Sequence, residues 1–224
     1  MRTGILLPIF EDHAGRAIDA ARRAEEAGVD GVFCFDHLWP IGQPARPALA
    51  PFPMLARVAS STTRVTVGTL VARVGLVPDE VLLGQFSGLA AIAPGRVVAG
   101  MGTGDHLSAG ENEAYGVEFA VAAERRVRLR RCVRAALDLG LDAWVGDGAA
   151  RTRRVAVEEG AALNLWDASP EEVREVSRRV EVTWAGPVSG PLAPTVARLA
   201  EAGATWAVFA WPVDVDELSD AGRI

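Results

Sequence analysis

In this chain the residues able to do chemistry gather just after short apolar, β-branched runs. Asp36-His37-Leu38-Trp39 follows residues 31–35, Gly102-Thr103-Gly104-Asp105-His106 follows 97–101, and Gly146-Asp147-Gly148 follows 143–145. Arg73, Asn164, Trp166, Trp184, Gly186 and Trp211 hold similar positions. An imidazole titrates near neutrality, so His37 beside Asp36 is the best candidate for moving a proton. A structural capping pair is the competing use of the same two residues. Asp105 would donate a proton if burial raised its pKa; otherwise it caps the helix that follows. Trp39, Trp166, Trp184 and Trp211 together suit a planar, partly apolar substrate or cofactor with a few polar groups to orient it. The glycines let backbone N–H groups approach a phosphate or a ring edge. Asp36, His37, Asp105 and His106 make a poor metal set, because adjacent side chains diverge and no His-x-His follows the first strand. No metal site is expected.

Those positions acquire meaning from the elements that carry them. Strand-type runs at 4–9, 31–35, 65–71, 97–101, 143–145, 161–165, 181–184 and 206–210 alternate with stretches of helical spacing. In the first helix Ala17, Ala20, Ala21, Ala24 and Ala27 form a small apolar face, and Gly28 ends it as a C′ glycine. Pro78-Asp79-Glu80 starts another helix, and Ser169-Pro170-Glu171-Glu172 supplies a cap, an N1 proline and first-turn acids for a later one. A helix at about 122–139 sets Leu129, Cys132, Val133, Ala136 and Leu137 inward, and Arg125, Arg126, Arg128, Arg130, Arg131 and Arg134 outward. That arginine face reads as solvated and paired with acids, with a nucleic-acid stripe as the less common alternative.

Strands alternating with helices form parallel sheets, and eight such units close into a (β/α)8 barrel, the TIM-barrel architecture. An open doubly wound sheet is second choice, since its GxGxxG fingerprint is missing after the first strand, where Pro8-Ile9-Phe10-Glu11 stands. In a barrel the catalytic face lies at the carboxyl ends of the strands, where the polar runs fall. No linker divides residues 1–224, and a single domain is expected.

Composition narrows the partners. All 23 basic residues are arginine and 29 are acidic, for a net charge of −6. General binding to nucleic acid or to an anionic membrane needs a basic excess and is not expected. Cys34 and Cys132 lie in apolar runs and read as small buried hydrophobes in a reducing, cytoplasmic setting. The first apolar stretch is broken by Pro8 and lacks the features of a signal peptide. The longest run without a formal charge, 182–197, has 16 residues, short of a membrane span.

Three motif blocks then carry a resemblance: Gly31-Val32-Phe33-Cys34-Phe35-Asp36-His37, Thr63-Arg64-Val65-Thr66-Val67-Gly68-Thr69, and Pro94-Gly95-Arg96 running on through Gly102-Thr103-Gly104-Asp105. Glu111-Asn112-Glu113-Ala114-Tyr115-Gly116, Trp144-Val145-Gly146, Gly203-Ala204 and Val208-Phe209-Ala210-Trp211-Pro212 continue it. In this ordered set the chain resembles the luciferase-like monooxygenase superfamily, most closely its branch that uses the deazaflavin F420. The resemblance implies a flavin or deazaflavin ring in the barrel mouth, bound by Asp36, His37, Thr69, Leu70, Val71, Gly102, Thr103, Gly104 and Asn164. It places the phosphate near Gly146, Gly148 and Ala149. It gives His37 a catalytic role and sets Asp105 where sugar-phosphate dehydrogenases of the family carry an acidic glutamate. It also implies a non-prolyl cis peptide at Leu70-Val71 behind the ring, and a homodimer.

The function so implied is F420-dependent hydride transfer to or from a small organic substrate. Alternatives are an FMN-dependent monooxygenase fed by a separate flavin or F420 reductase, a non-catalytic flavin or deazaflavin carrier, and a hydrolase barrel using Asp36, Asp105 and Glu111. Arg46, Arg73, Arg151 and Arg153 are candidates to meet an acidic cofactor tail. Asp147 interrupts the paired glycines usual in the family and would repel a phosphate unless turned away or paired with Arg151. The family's large insertion over the substrate pocket has no counterpart, since residues 181–206 leave room for one short helix.

Overall fold

The computed structural model describes residues 1–223. β1 (Arg2–Leu6), β2 (Gly31–Cys34), β3 (Thr66–Thr69) and β4 (Ala72–Arg73) are followed by β5 (Val97–Gly102), β6 (Asp142–Gly146), β7 (Ala162–Trp166), β8 (Val182–Gly186) and β9 (Ala204–Ala210). All pair in parallel, in the order β3-β2-β1-β9-β8-β7-β6-β5-β4, and a β3–β5 pairing closes the ring. β4 continues β3 beyond a cis Leu70–Val71 peptide, so the closed barrel has eight staves, as the alternation implies.

Helices wrap the outside: α1 (Gly15–Ala27), α2 (Pro51–Ser61), α3 (Asp79–Ile92), α4 (Ala109–Ala114), α5 (Ala122–Asp138), α6 (Ala150–Glu159), α7 (Pro170–Val176), α8 (Leu192–Glu201) and α9 (Val215–Gly222). α1 buries Ala17, Ala20, Ala21 and Ala24, and Gly28 ends it at φ 99° with its N–H on Ala24 and Glu25 carbonyls. Ser169 caps α7 by accepting from the Glu172 N–H. α8 is the one helix between residues 181 and 206. Among the described residues no helix is long and apolar enough to cross a membrane.

Strand ends shift by a residue or two from expectation, and two strands differ most. The first strand begins at Arg2 and ends at Leu6, because Pro8 has no N–H to donate to a ladder. The third is interrupted after Thr69, where the chain bends and Leu70 N–H turns to the Cys34 carbonyl.

The barrel interior and the helix layer are separate cores. Inside, Phe33 stacks on Trp144 at 5.1 Å, and Trp206 meets both edge-on at 5.7 and 5.5 Å. Glycines make room for this plug: a Cβ on Gly31 would lie 2.9 Å from the Trp206 ring. The floor is thereby filled, and free space remains at the carboxyl ends of the strands. On α5 the distal arginines are paired as expected: Arg130 with Glu158 and Glu159, Arg134 with Glu159, and Arg128 and Arg131 with buried Asp79.

Candidate active site

A cavity of about 620 Å³ opens at the carboxyl ends of the strands. Its apolar lining comes from Phe10, Phe35, Ile41, Leu70, Val71 and Trp166. His37 enters from the loop after β2, its side chain 26% exposed, with Nδ1 3.0 Å from Glu111 Oε1. Glu111, on α4, is 2% exposed, and its other oxygen lies 2.7 Å from Arg73 Nη2, on a guanidinium 4% exposed. Arg73 also donates from Nη1 to the Ser108 carbonyl at 3.1 Å. Asp36 accepts from the Arg73 backbone N–H at 2.9 Å, which ties the β2 loop to β4.

The protonation states follow from these contacts. Burial pushes the Glu111 carboxyl up, but the hydrogen bond and charge of His37 and the charge of Arg73 outweigh it and hold it below the ordinary glutamate value. A carboxylate on Nδ1 keeps a proton on that nitrogen, so that Nε2 is the acceptor whenever the imidazole is neutral. For Asp36 desolvation dominates and raises the carboxyl, against the Arg73 N–H bond and charge.

The opposite wall is built from absent side chains. A Cβ on Gly102 or Gly146 would come within 2.6 or 2.7 Å of Val71 Cγ2, so both glycines are needed for the cavity to keep this shape. Gly104 takes φ +64° and passes Arg73 Cδ. Thr103 sits on the rim, and Asn164 lines the depth while donating to Thr183 Oγ1 at 3.0 Å. Gly148, Ala149 and Thr152 border the cavity where α6 begins, and no side chain caps that helix. Its first N–H groups are available to an anion.

Several expected roles change. Asp105 is exposed, and its Oδ1 accepts from Leu107 and Ser108 N–H at 2.9 and 3.2 Å, so its carboxylate serves as a cap rather than as a buried proton donor. Thr69 is fully buried on the outer side of its strand, with its hydroxyl on the Gly100 carbonyl at 2.6 Å, and does not line the cavity. Trp184 is 4% exposed, packs on Phe209 at 5.2 Å and donates to the Ala168 carbonyl at 2.9 Å; it belongs to the outer core. Trp39 and Trp211 are half-buried outside the cavity lining. Trp166 alone of the four reaches it, 44% exposed and 5.7 Å from Phe35.

Asp147 is paired with Arg153, at 2.7 and 3.2 Å, not with Arg151. Arg46 donates to Gln43 and the Phe10 carbonyl. Arg125 and Arg126 do not stay on the outer face: the first turns of α5 overhang the mouth and bring both to the cavity. Glu111, singled out in the sequence only as a carboxylate of the hydrolase alternative, is the group whose partners His37 and Arg73 the sequence did not reveal. Among the described residues no group of three His, Cys, Asp or Glu is positioned to hold a metal ion.

The barrel mouth thus sets an imidazole held by Glu111 across an apolar cavity from a wall of glycines. The model of the luciferase-like monooxygenase family matches residues 1–139, and the chain belongs to that family. F420-dependent glucose-6-phosphate dehydrogenases of Kineococcus radiotolerans and Beutenbergia cavernae are each 34% identical to it, over 174 and 175 residues. These matches take in 77% of this chain and 48% of the relatives, so the chain spans about half the length of the curated relatives it matches. Among solved structures, an F420-dependent secondary alcohol dehydrogenase in complex with an F420-acetone adduct superposes with TM-score 0.82 at 14% identity, covering 99% of this chain and 98% of that one. The F420-dependent tetrahydromethanopterin reductase of Methanopyrus kandleri superposes at 0.74 and 12% identity, covering 98% and 96%. Both share the barrel fold.

Proposed function

We propose that the chain binds F420 in the barrel mouth and catalyses hydride transfer between it and a small alcohol or carbonyl substrate, with residues 1–224 acting as one domain. The observation that carries this reading is the His37–Glu111–Arg73 chain at the cavity rim, with contacts of 3.0 and 2.7 Å. The relatives' dependence on F420 supports the choice of cofactor. The cavity fits the group: its volume lies in the range of small-ligand sites, and Gly102 and Gly146 leave a flat slot against Leu70 and Val71.

When bound, the deazaflavin supplies the hydride acceptor or donor. Leu70 and Val71 would back the ring, and Gly148, Ala149 and the start of α6 would face its phosphate from one side. Phe35, Ile41 and Trp166 exclude water from the reacting face. As the substrate C–H bond breaks, His37 Nε2 takes the hydroxyl proton, and it returns that proton in the reverse direction. Glu111 keeps the imidazole in the required tautomer, and Arg73 keeps Glu111 ionised.

Titration of the full chain with F420 and with FMN, followed by fluorescence, tests the reading. Saturable F420 binding that Gly146→Val abolishes is expected. Submicromolar FMN binding with none for F420 would instead overturn F420 as the cofactor and favour the FMN alternative. A cytoplasmic homodimer is part of the same proposal, and light scattering giving a strict monomer would remove the pairing.

A further inference from the structure

Two cations at the mouth take no part in the chemistry above. Arg125 and Arg126 line the cavity from the start of α5. The arginines further along that helix each have a carboxylate partner on α3 or α6. Among the described residues, Arg125 and Arg126 have none within 4.0 Å.

Arg125 is held by uncharged groups instead. It donates to the Ala120 carbonyl at 2.6 Å, and its guanidinium lies 3.9 Å from the centroid of the Phe119 ring. Its Nε is buried without a partner. Burial first, and the neighbouring Arg126 charge second, lower its hold on its proton, with Asp105 opposing them. Two adjacent guanidinium groups in a half-buried setting repel each other, in a chain whose net charge is −6. The carboxylates nearby are already engaged: Asp105 by two backbone N–H groups, Asp147 by Arg153 and the Gly148 N–H. The cavity reaches from this pair to the uncapped start of α6.

We propose that Arg125 and Arg126 form an anion subsite at the rim, taking the phosphate or a carboxylate of the side chain that a ring ligand trails toward solvent. Guanidinium groups match both anions with paired N–H donors, and partial burial protects the contact from salt screening. The inference deepens the reading of the cavity as a ring-binding site and rests on it.

The test compares wild type with Arg126→Gln and Arg125→Gln. The probes are the deazaflavin riboside without phosphate, the phosphate-bearing form without glutamates, full-length F420, and the pair riboflavin and FMN. Wild type is expected to bind an anionic form about tenfold or more tightly than its neutral parent. In the two variants that ratio falls toward one, while binding of the neutral parent stays as in wild type. If the gain comes with the phosphate, the subsite reads phosphate; if it comes only with the glutamates, it reads tail carboxylates. Arg130→Gln, on a surface pair, leaves every affinity unchanged. Ratios in Arg125→Gln and Arg126→Gln equal to wild type would overturn the proposal, as would equal loss of neutral and anionic probes. A ratio seen and lost only with riboflavin and FMN would refute F420 while keeping the subsite. Binding of none of the five probes by wild type would overturn both.

Discussion

From β2 to α5 the mouth is lined by charged groups taken out of water: Arg73 and Glu111 are 4% and 2% exposed, with Asp36 and His37 beside them. From β6 to β9 the same layer carries one charged group, Asp147, paired with Arg153 at 2.7 Å, and is otherwise neutral: Gly146, Asn164 hydrogen-bonded to Thr183, and Trp166. The connections differ too. Residues 35–50 and 103–121 leave the barrel and return as long loops and short helices, whereas 147–149 and 167–169 lead directly into α6 and α7. Among the described residues most buried polar atoms without a hydrogen-bond partner lie in the first half, Arg73 Nε and Nη2, Glu111 Oε2, Asn112 Oδ1 and Arg125 Nε among them, while Trp211 Nε1 and Ser219 Oγ lie after β9. Arg73 Nη2 touches Glu111 at 2.7 Å without hydrogen-bond alignment. On the proposed function, one half is built for chemistry at a cost in stability, and the other is a wall against which a ligand would be held.

That contrast predicts an ordered set of effects. Glu111→Ala leaves the Arg73 guanidinium buried without its counter-charge and should cost about 3 to 5 kcal/mol of unfolding free energy in urea. Arg73→Met combined with Glu111→Met should recover most of that stability, since replacing both charges removes the desolvation penalty, yet turnover should stay lost. A double variant as unstable as the single one would break the comparison. In the second half, Trp184→Phe gives up the bond to Ala168 and should cost about 1 to 2 kcal/mol with kcat unchanged.

Acid should separate wild type from Glu111→Gln. The folded Glu111 carboxyl lies below its ordinary value of 4.5, so its ionised form stabilises the fold. The advantage of wild type should be complete above about pH 4.5 and close as pH falls through the lowered folded value. Melting temperatures of the two proteins across pH 3 to 7 check the sign; a gap that widens on acidification would contradict it. The smallest effect is expected at Arg153→Ala, which breaks a half-exposed pair with Asp147 and should change stability by under about 1 kcal/mol.

The eight staves were legible because β-branched runs and helical spacing alternate so regularly, and His37 because it directly follows one of those runs. Parity within a strand would have sorted the tryptophans. Thr183 faces the interior toward Asn164, so Trp184 must face out, and Trp166, two residues after Asn164, must face the mouth. The same alternation sets Thr69 outside, between inward Gly68 and Leu70. Asp105 carried its own signal, since Ser108 three residues on completes a capping box. The Glu111 partnership had no local signature: it joins residues 74 apart in sequence and forms only when the loops after β2 and β5 meet above the barrel. Likewise, helical spacing placed Arg125 and Arg126 outward, while tertiary placement of the first turns of α5 over the mouth decides what they face.

The most direct test of the central claim is the turnover of His37→Ala at saturating F420, with whichever alcohol or sugar phosphate wild type oxidises fastest. Loss of the proton acceptor should lower kcat by about 100- to 10,000-fold, while the Kd for F420 stays close to that of wild type. An unchanged kcat would show that the His37–Glu111–Arg73 chain is not the proton path.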